Sequence, residues 1–155
     1  MNSITDRGLR ASNWSDSLRE ALLVALLLTG SIRGAENAIE RAIDLLHSDS
    51  PPTDLLIGAV RAALKQREWQ DSLPSNLPLE LQALGLLSPA ARNCFVLRVL
   101  MGFDEEACVA FLELSRNNLK EALHQSFLGL PVAIQTIRCR TNSRPLTRGL
   151  HLPTM

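Results

Sequence analysis

Helix start and stop signals follow one another closely in the second half of the chain and restrict it to short helices. Ser88 is the predicted N-cap of one helix, and Pro89 suits the first helical position after it. Gly102 ends that helix, and Asp104 is the predicted N-cap of the next. Only a few residues later, Ser115 is the predicted N-cap of a third helix. The sequence therefore predicts short helices joined by tight turns.

The first half of the chain also has the apolar spacing of helices. Apolar side chains recur every three to four positions between Trp14 and Gly30, which predicts one helix there. Two more helices are predicted over 34–47 and 53–67, and a short helical turn over 79–84. Leu and Ala dominate, whereas aromatic residues make up only 4% and Tyr is absent. We therefore predict an all-α fold.

The breaks between these segments predict two small helical lobes. The first lobe spans 14–69, and a linker with two prolines follows over 70–86. The second lobe spans 87–130. Gly129 and Pro131 both disfavour helix, so they are expected to end its last helix. A basic tail, expected to be irregular, occupies 131–155.

The charges are unevenly placed although the formal net charge is zero. All 16 acidic residues lie at or before Glu121. Residues 1–121 also hold 12 basic residues, so their net charge is −4. The remainder carries +4, from four arginines: Arg138, Arg140, Arg144 and Arg148. A dedicated nucleic-acid binder usually carries a basic excess near its binding face, so this balance argues against strong DNA binding by most of the chain.

Cysteine usage and hydropathy indicate a cytoplasmic protein. Cys94, Cys108 and Cys139 are widely spaced and form no CxxC motif, and two of them fall on apolar helical stripes, which predicts buried free thiols. The polar N-terminus is unlike a signal peptide. The apolar run Ala21–Leu28 has eight residues, far short of the roughly 20 that a membrane span needs. We therefore expect no membrane partner.

No pattern of catalytic or metal-binding residues is present in the sequence. His47, His124 and His151 lie in separate segments, whereas a metal site needs several convergent ligands. No nucleophile motif surrounds any serine, and glycine-rich phosphate loops are absent. We expect a protein that is not an enzyme and that uses no metal or cofactor.

The segment Leu87–Leu130 has the pattern of a helix-turn-helix, in which two short helices are joined by a turn of three or four residues. Its second helix has a polar outer face and the right size to enter a major groove. Arginine reads guanine, asparagine reads adenine, and lysine holds phosphates. The alternatives are an ordinary three-helix packing unit and a solvated first turn. The candidate DNA-facing residues are Arg116, Asn117, Asn118, Lys120, Glu121 and His124.

The same segment resembles region four of bacterial sigma factors, especially the compact extracytoplasmic-function type. The stretch Ser88–Glu106 reads Ser-Pro-Ala-Ala-Arg-Asn-Cys-Phe-Val-Leu-Arg-Val-Leu-Met-Gly-Phe-Asp-Glu-Glu. In the family, the corresponding stretch begins with Leu-Pro-x-x-x-Arg. An aliphatic helix, Gly-Leu-Ser and an acidic helix follow. The family's recognition helix reads x-Gly-Thr-Val-Lys-Ser-Arg-Leu-His-Arg. Ser115, Lys120, Leu123 and His124 match it in kind and place.

The stretch from Leu28 to Ile43 resembles region two of those factors, which reads Gly-x-x-x-Asp-Ala-Glu-Asp-x-x-Gln-Glu-x-Phe. Residues 54–67 would correspond to the next helix of that region, so the two matches cover most of 15–130. The resemblance implies that a polar face of the first lobe docks on the clamp helices of RNA polymerase. The alternative is a solvated helix face. The implied polymerase-binding residues are Glu36, Asn37, Glu40 and Arg41.

The chain departs from the sigma pattern at positions that matter for DNA. Ala122 and Gln125 stand where the recognition helix usually has arginines. Glu113 replaces the usual glycine of the turn, at a steric cost if that position needs positive φ. No aromatic lies between Thr53 and Glu68, and Trp69 comes just after them. Fewer cations weaken phosphate contacts, and fewer aromatics weaken stacking on unpaired bases, so the resemblance supports the fold more than full sigma activity.

The resemblance implies a transcription-initiation protein that binds core RNA polymerase and promoter DNA, with an anti-sigma protein as a further partner. One alternative is a degenerate sigma-like module that binds polymerase, an anti-sigma protein or itself, with weak or no DNA binding. A DNA-binding regulator acting as a homodimer is a third interpretation. In the first interpretation, Asn117, Asn118 and Glu121 contact base edges. The residues that contact phosphates or bases are Arg116, Lys120, His124 and Gln125.

Overall fold

The computed structural model describes residues 14–66 and 73–149, the last nine of them as backbone only. No strand occurs in these two ranges, so the prediction of an all-α fold is confirmed. Trp69 and His151 lie outside them. The helices are α1 (Trp14–Thr29), α2 (Ile32–Asp44), α3 (Thr53–Lys65), α4 (Leu79–Ala83), α5 (Pro89–Phe95), α6 (Glu105–Leu112) and α7 (Arg116–Gly149).

Helices α1, α2 and α3 pack against one another along faces made mainly of small residues. The hydroxyl of Ser31 caps α2 by accepting the backbone N–H of Gly34 at 2.9 Å. In the middle of the α2–α3 pair, a Cβ added at Gly58 would lie 3.1 Å from the Cβ of Ala42. Glycine at this position therefore lets the two helices approach closely. The predicted helices over 34–47 and 53–67 are both present, with slightly different ends.

The three predicted N-caps of the second half are confirmed. The side chains of Ser88 and Asp104 each accept the backbone N–H three residues further on, at 3.3 and 2.7 Å. Ser115 does the same at the start of α7, at 3.2 Å. After α5 the chain continues as a π-helical segment, Val96–Leu100. Gly102 follows it with a φ of +70°, which ends the helical segment. Local capping chemistry thus determines where α5, α6 and α7 begin.

The second half of the predicted linker over 70–86 is part of the folded core. Helix α4 is followed by a 3₁₀ turn, Leu84–Leu86. Ala83 and Leu84 are buried, and Leu81 packs against the same cluster. Burial of these apolar side chains stabilises a segment that the prolines alone had indicated as a linker.

The prediction that the last helix ends at Gly129 to Pro131 is wrong, and so is the prediction of an irregular tail from residue 131. Helix α7 runs unbroken through both residues to Gly149. Proline in a helix interior costs about 3 kcal/mol through a lost hydrogen bond and a steric clash. Tertiary packing offsets part of that cost here. Ala133 is buried, and a Cβ added at Gly129 would lie 2.9 Å from the side chain of Leu87.

One cluster of buried side chains includes residues from both halves of the chain, and this cluster fixes the start of α7. From α7 it takes Leu119 and Ala122. Across the cluster's edge, the guanidinium of Arg61 on α3 lies 5.6 Å from the ring centroid of Phe111 on α6. The other members of the cluster are Val24, Ala25, Leu26, Leu27, Leu28, Ala35, Ala38, Val60, Ala62, Ala63, Leu84, Cys94, Val96, Leu97 and Cys108.

Candidate nucleic-acid interface

The first turns of α7 present a polar, exposed face to solvent. Leu119 and Ala122 hold the opposite face of the helix against the core. Ser126 is also buried on that face, and Leu123 packs against the core, so the side chains on the other side of the helix point outward. All seven predicted DNA-facing side chains are exposed, namely Arg116, Asn117, Asn118, Lys120, Glu121, His124 and Gln125. The structure therefore brings them together on one accessible surface.

One of these side chains has an acidic neighbour on the preceding helix. The guanidinium of Arg116 lies 3.8 Å from the carboxylate of Glu106 on α6, and both side chains are largely exposed. An exposed ion pair of this length contributes between about 0 and 1 kcal/mol. A phosphate that binds Arg116 would have to compete with this carboxylate.

The stretch of sequence that contains α6 and the start of α7 has a net negative charge, although Arg61 and Lys65 of α3 lie beside Glu113. Between Asp104 and Gln125 there are two basic residues, Arg116 and Lys120. The same stretch holds five carboxylates, a balance of −3: Asp104, Glu105, Glu106, Glu113 and Glu121. DNA carries one negative charge per roughly 1.7 Å of helix axis, so this balance opposes its approach.

The turn between α6 and α7 places Glu113 in the left-handed region, with φ 54° and ψ 40°. The sigma pattern has glycine at this turn position, and the positive φ under which a steric cost is expected for glutamate is present. A left-handed conformation costs an L-residue with a Cβ about 1 to 2 kcal/mol. The turn therefore stores strain that glycine would relieve.

We expect Glu113→Gly to raise the free energy of unfolding by about 1 kcal/mol, since part of the relieved strain is offset by the greater freedom of glycine when unfolded. Chemical denaturation followed by circular dichroism measures this change. Glu113→Gln is the matched control, because it removes the charge and keeps the Cβ. A stability gain in the glutamine variant equal to that of the glycine variant would show that charge, not backbone strain, is relieved.

The predicted polymerase-binding residues lie on the outward face of α2. Ala35, Ala38 and Ala42 are buried against the neighbouring helices. Their polar neighbours face solvent, and all four predicted side chains are exposed: Glu36, Asn37, Glu40 and Arg41. The structure thus leaves this face accessible to a partner.

Three features of the site were missed in the sequence because they depend on tertiary packing. Arg92 is only 3% exposed, and burial lowers the pKa of its guanidinium to about 10. The contact of Arg61 with Phe111 and the ion pair of Arg116 also join different helices. No local signal in the sequence indicates that Arg92 is buried, because it points about 100° away from Ala91 around the helix and yet both are buried.

Two of the three thiols are buried, as the sequence predicts, and the third is exposed. Burial raises the pKa of Cys94 to about 11, and the neighbouring thiol of Cys108 adds to the shift. Burial also raises the pKa of Cys108, and the charge of Arg98 opposes that rise. Both buried thiols therefore stay protonated well above neutral pH.

We expect iodoacetamide to alkylate Cys139 in the native protein and to leave Cys94 and Cys108 unmodified, because the thiolate is the reactive form. Mass spectrometry of digested protein after timed exposure measures each site. Unfolding in denaturant should make all three thiols reactive at similar rates. Rapid modification of Cys94 in the folded protein would contradict its burial.

Within residues 14–66 and 73–149, no three His, Cys, Asp or Glu side chains are grouped so that they could hold a metal ion. No helix among the described residues is long and apolar enough to cross a membrane.

Comparison of the chain with protein-family models, with curated proteins and with solved structures finds no match. The functional assignment therefore depends on the residues and the geometry described above.

Proposed function

We propose that this chain is a sigma-factor-like transcription-initiation protein that binds core RNA polymerase and promoter DNA in the cytoplasm. The observation that carries the proposal is the exposed polar start of α7. It follows a short turn, it is capped by Ser115, and it is anchored on the core by Leu119. A helix held in this way can enter a major groove while its scaffold stays outside.

In this proposal the first turns of α7 lie in the major groove of the upstream promoter element. Residues 116–127 extend for about 18 Å, long enough to cross the groove. Asn117 and Asn118 would bond base edges such as adenine, together with Glu121. Arg116 and Lys120 would bond phosphates or guanine, with help from His124 and Gln125.

The α2 face of Glu36, Asn37, Glu40 and Arg41 would bind the polymerase. Recruitment by polymerase would raise the local concentration of DNA near α7, so that a weak DNA contact could still position the complex. Binding that comes mainly from the polymerase and only weakly from DNA is consistent with a chain whose recognition helix has few cations.

A second candidate function is a sigma-like protein-interaction module with weak or no DNA binding. The acidic balance of −3 between Asp104 and Gln125 favours it. In this case the fold would be retained to bind polymerase, an anti-sigma protein or a second copy.

A fluorescence anisotropy titration on promoter-like duplexes, at several salt concentrations, separates the two candidates. The DNA-binding proposal expects binding at low salt, with a slope of log K against log salt near −2, because two phosphates are neutralised by Arg116 and Lys120. Substitution of both cations by alanine should remove the salt dependence. Absence of binding at the lowest salt would leave only the interaction module.

A further inference from the structure

An open groove of about 560 Å³ runs between the C-terminal end of α2, the following turn and α3. We call it the α2–α3 groove. Its floor forms where Gly58 packs closely on Ala42. Leu45 and Ile57 border the groove and are 74% and 36% exposed. A partner that enters the groove could bury these two apolar side chains, which would favour binding.

The α2–α3 groove is bordered by more cations than carboxylates. Arg41, Arg61 and Lys65 line it together with one carboxylate, Asp54. A second carboxylate, Glu113, lies beside Arg61 and Lys65 but does not line the groove, so cations still outnumber carboxylates. His47 also lines it. The ring of Phe111 lies against the guanidinium of Arg61, which keeps that cation at the edge of the groove. An apolar floor with a positive rim is complementary to a helix that has one apolar face flanked by carboxylates.

Unassigned parts of this chain do not have that chemistry. Residues 1–13 contain two arginines and one aspartate, and residues 150–155 contain no acidic residue. Residues 67–72 contain Glu68 and Asp71, but six residues are fewer than two turns of helix and cannot supply an amphipathic helix.

In a second copy, exposed apolar side chains lie on α7, at Phe127, Leu128 and Val132, and on α1, at Trp14, Leu18 and Leu22. The charged residues that follow the α7 side chains are all arginines, which would repel the cations of the groove. On α1, Arg19 offsets part of the charge of Asp16 and Glu20, so this helix is a weaker complement to three cations than a helix flanked by carboxylates alone.

We infer that the α2–α3 groove binds an amphipathic acidic helix of another protein. Apolar residues of that helix pack on Leu45 and Ile57, and its carboxylates pair with Lys65, Arg61 and Arg41. The groove shares only Arg41 with the proposed polymerase face and contains no residue of α7. The inference therefore does not depend on the proposed function.

A synthetic, fluorescently labelled peptide tests the inference with the full-length chain. The peptide is helix-forming and carries leucines along one face with glutamates beside them, and a control peptide has lysine at every glutamate position. Anisotropy should show binding of the acidic peptide and none of the basic one. We expect Lys65→Glu and Leu45→Glu each to weaken binding about tenfold, through lost contact and new repulsion.

Two matched variants control for charge and hydrophobicity outside the groove. Arg33→Glu makes the same charge reversal, and Ile32→Glu replaces an exposed apolar residue at the opposite end of α2 that does not line the groove. Both should bind the acidic peptide within about twofold of the unmodified chain, since distant exposed charges contribute little. Circular dichroism verifies that all four variants are folded.

Several outcomes would overturn the inference. Equal affinity for the basic peptide would show that charge complementarity is absent. Losses for Arg33→Glu as large as those for Lys65→Glu would show a non-specific effect of net charge. Self-association in sedimentation experiments that Leu45→Glu abolishes would assign the groove to a second copy of this chain instead.

Discussion

Leu119→Ala should lower the free energy of unfolding by about 3 kcal/mol, because it removes a fully buried leucine and leaves a cavity in the core. Leu119 is 1% exposed and is one of the few residues of α7 within the shared cluster. Chemical denaturation followed by circular dichroism measures the change. The exposed start of α7 would lose its anchor together with this side chain.

Leu128→Ala is the matched control, since it makes the same substitution on the same helix at a side chain that is 62% exposed. We expect a change within about 0.5 kcal/mol for that variant. Equal losses in the two variants would contradict the packing of α7 described above. A small loss for Leu119→Ala alone would mean that the helix is not anchored at this point.

The double variant Glu106→Gln/Glu113→Gln should bind promoter-like duplex DNA about tenfold more tightly than the unmodified chain at low salt. It removes the carboxylate beside Arg116 and a second carboxylate from the adjacent turn, so repulsion of phosphates falls. Glutamine keeps the size of each side chain and leaves the seven candidate contact residues unchanged. Anisotropy at several salt concentrations measures the gain.

The control double variant, Glu20→Gln/Asp49→Asn, removes the same charge from exposed positions outside α4, α6 and α7. In the measurements at about 0.1 M salt, where exposed charges beyond about 10 Å are largely screened, we expect its DNA affinity to stay within about twofold of the unmodified chain. A similar gain in both double variants would show that net charge, not the surface of α7, controls binding. No gain in either would favour the interaction module.

Features that depend on local chemistry could be predicted from the sequence. A capping side chain bonds an N–H three residues away, so Ser88, Asp104 and Ser115 indicated where their helices begin. Gly102 has the positive φ expected of a residue that ends a helix. The strain at Glu113 was also foreseeable, because the sigma pattern has glycine there.

Features that depend on distant contacts could not be predicted in the same way. Pro131 is a strong local signal for a helix end, yet α7 continues through it, and packing around Gly129 and Ala133 offsets part of the cost. The ion pair between Glu106 and Arg116 joins residues ten positions apart, and no local periodicity indicates it. Exposure of the candidate DNA-facing residues was predictable, but the acidic surface that α6 places beside them was not.

Binding of core RNA polymerase tests the central claim most directly. Immobilised chain should retain purified core polymerase, and Glu36→Lys/Glu40→Lys should abolish retention, because it reverses two charges on the proposed docking face. The control Glu20→Lys/Glu80→Lys makes the same charge change on other exposed surfaces and should retain polymerase as well as the unmodified chain. Failure of the folded, unmodified chain to retain core polymerase would contradict the sigma-factor account.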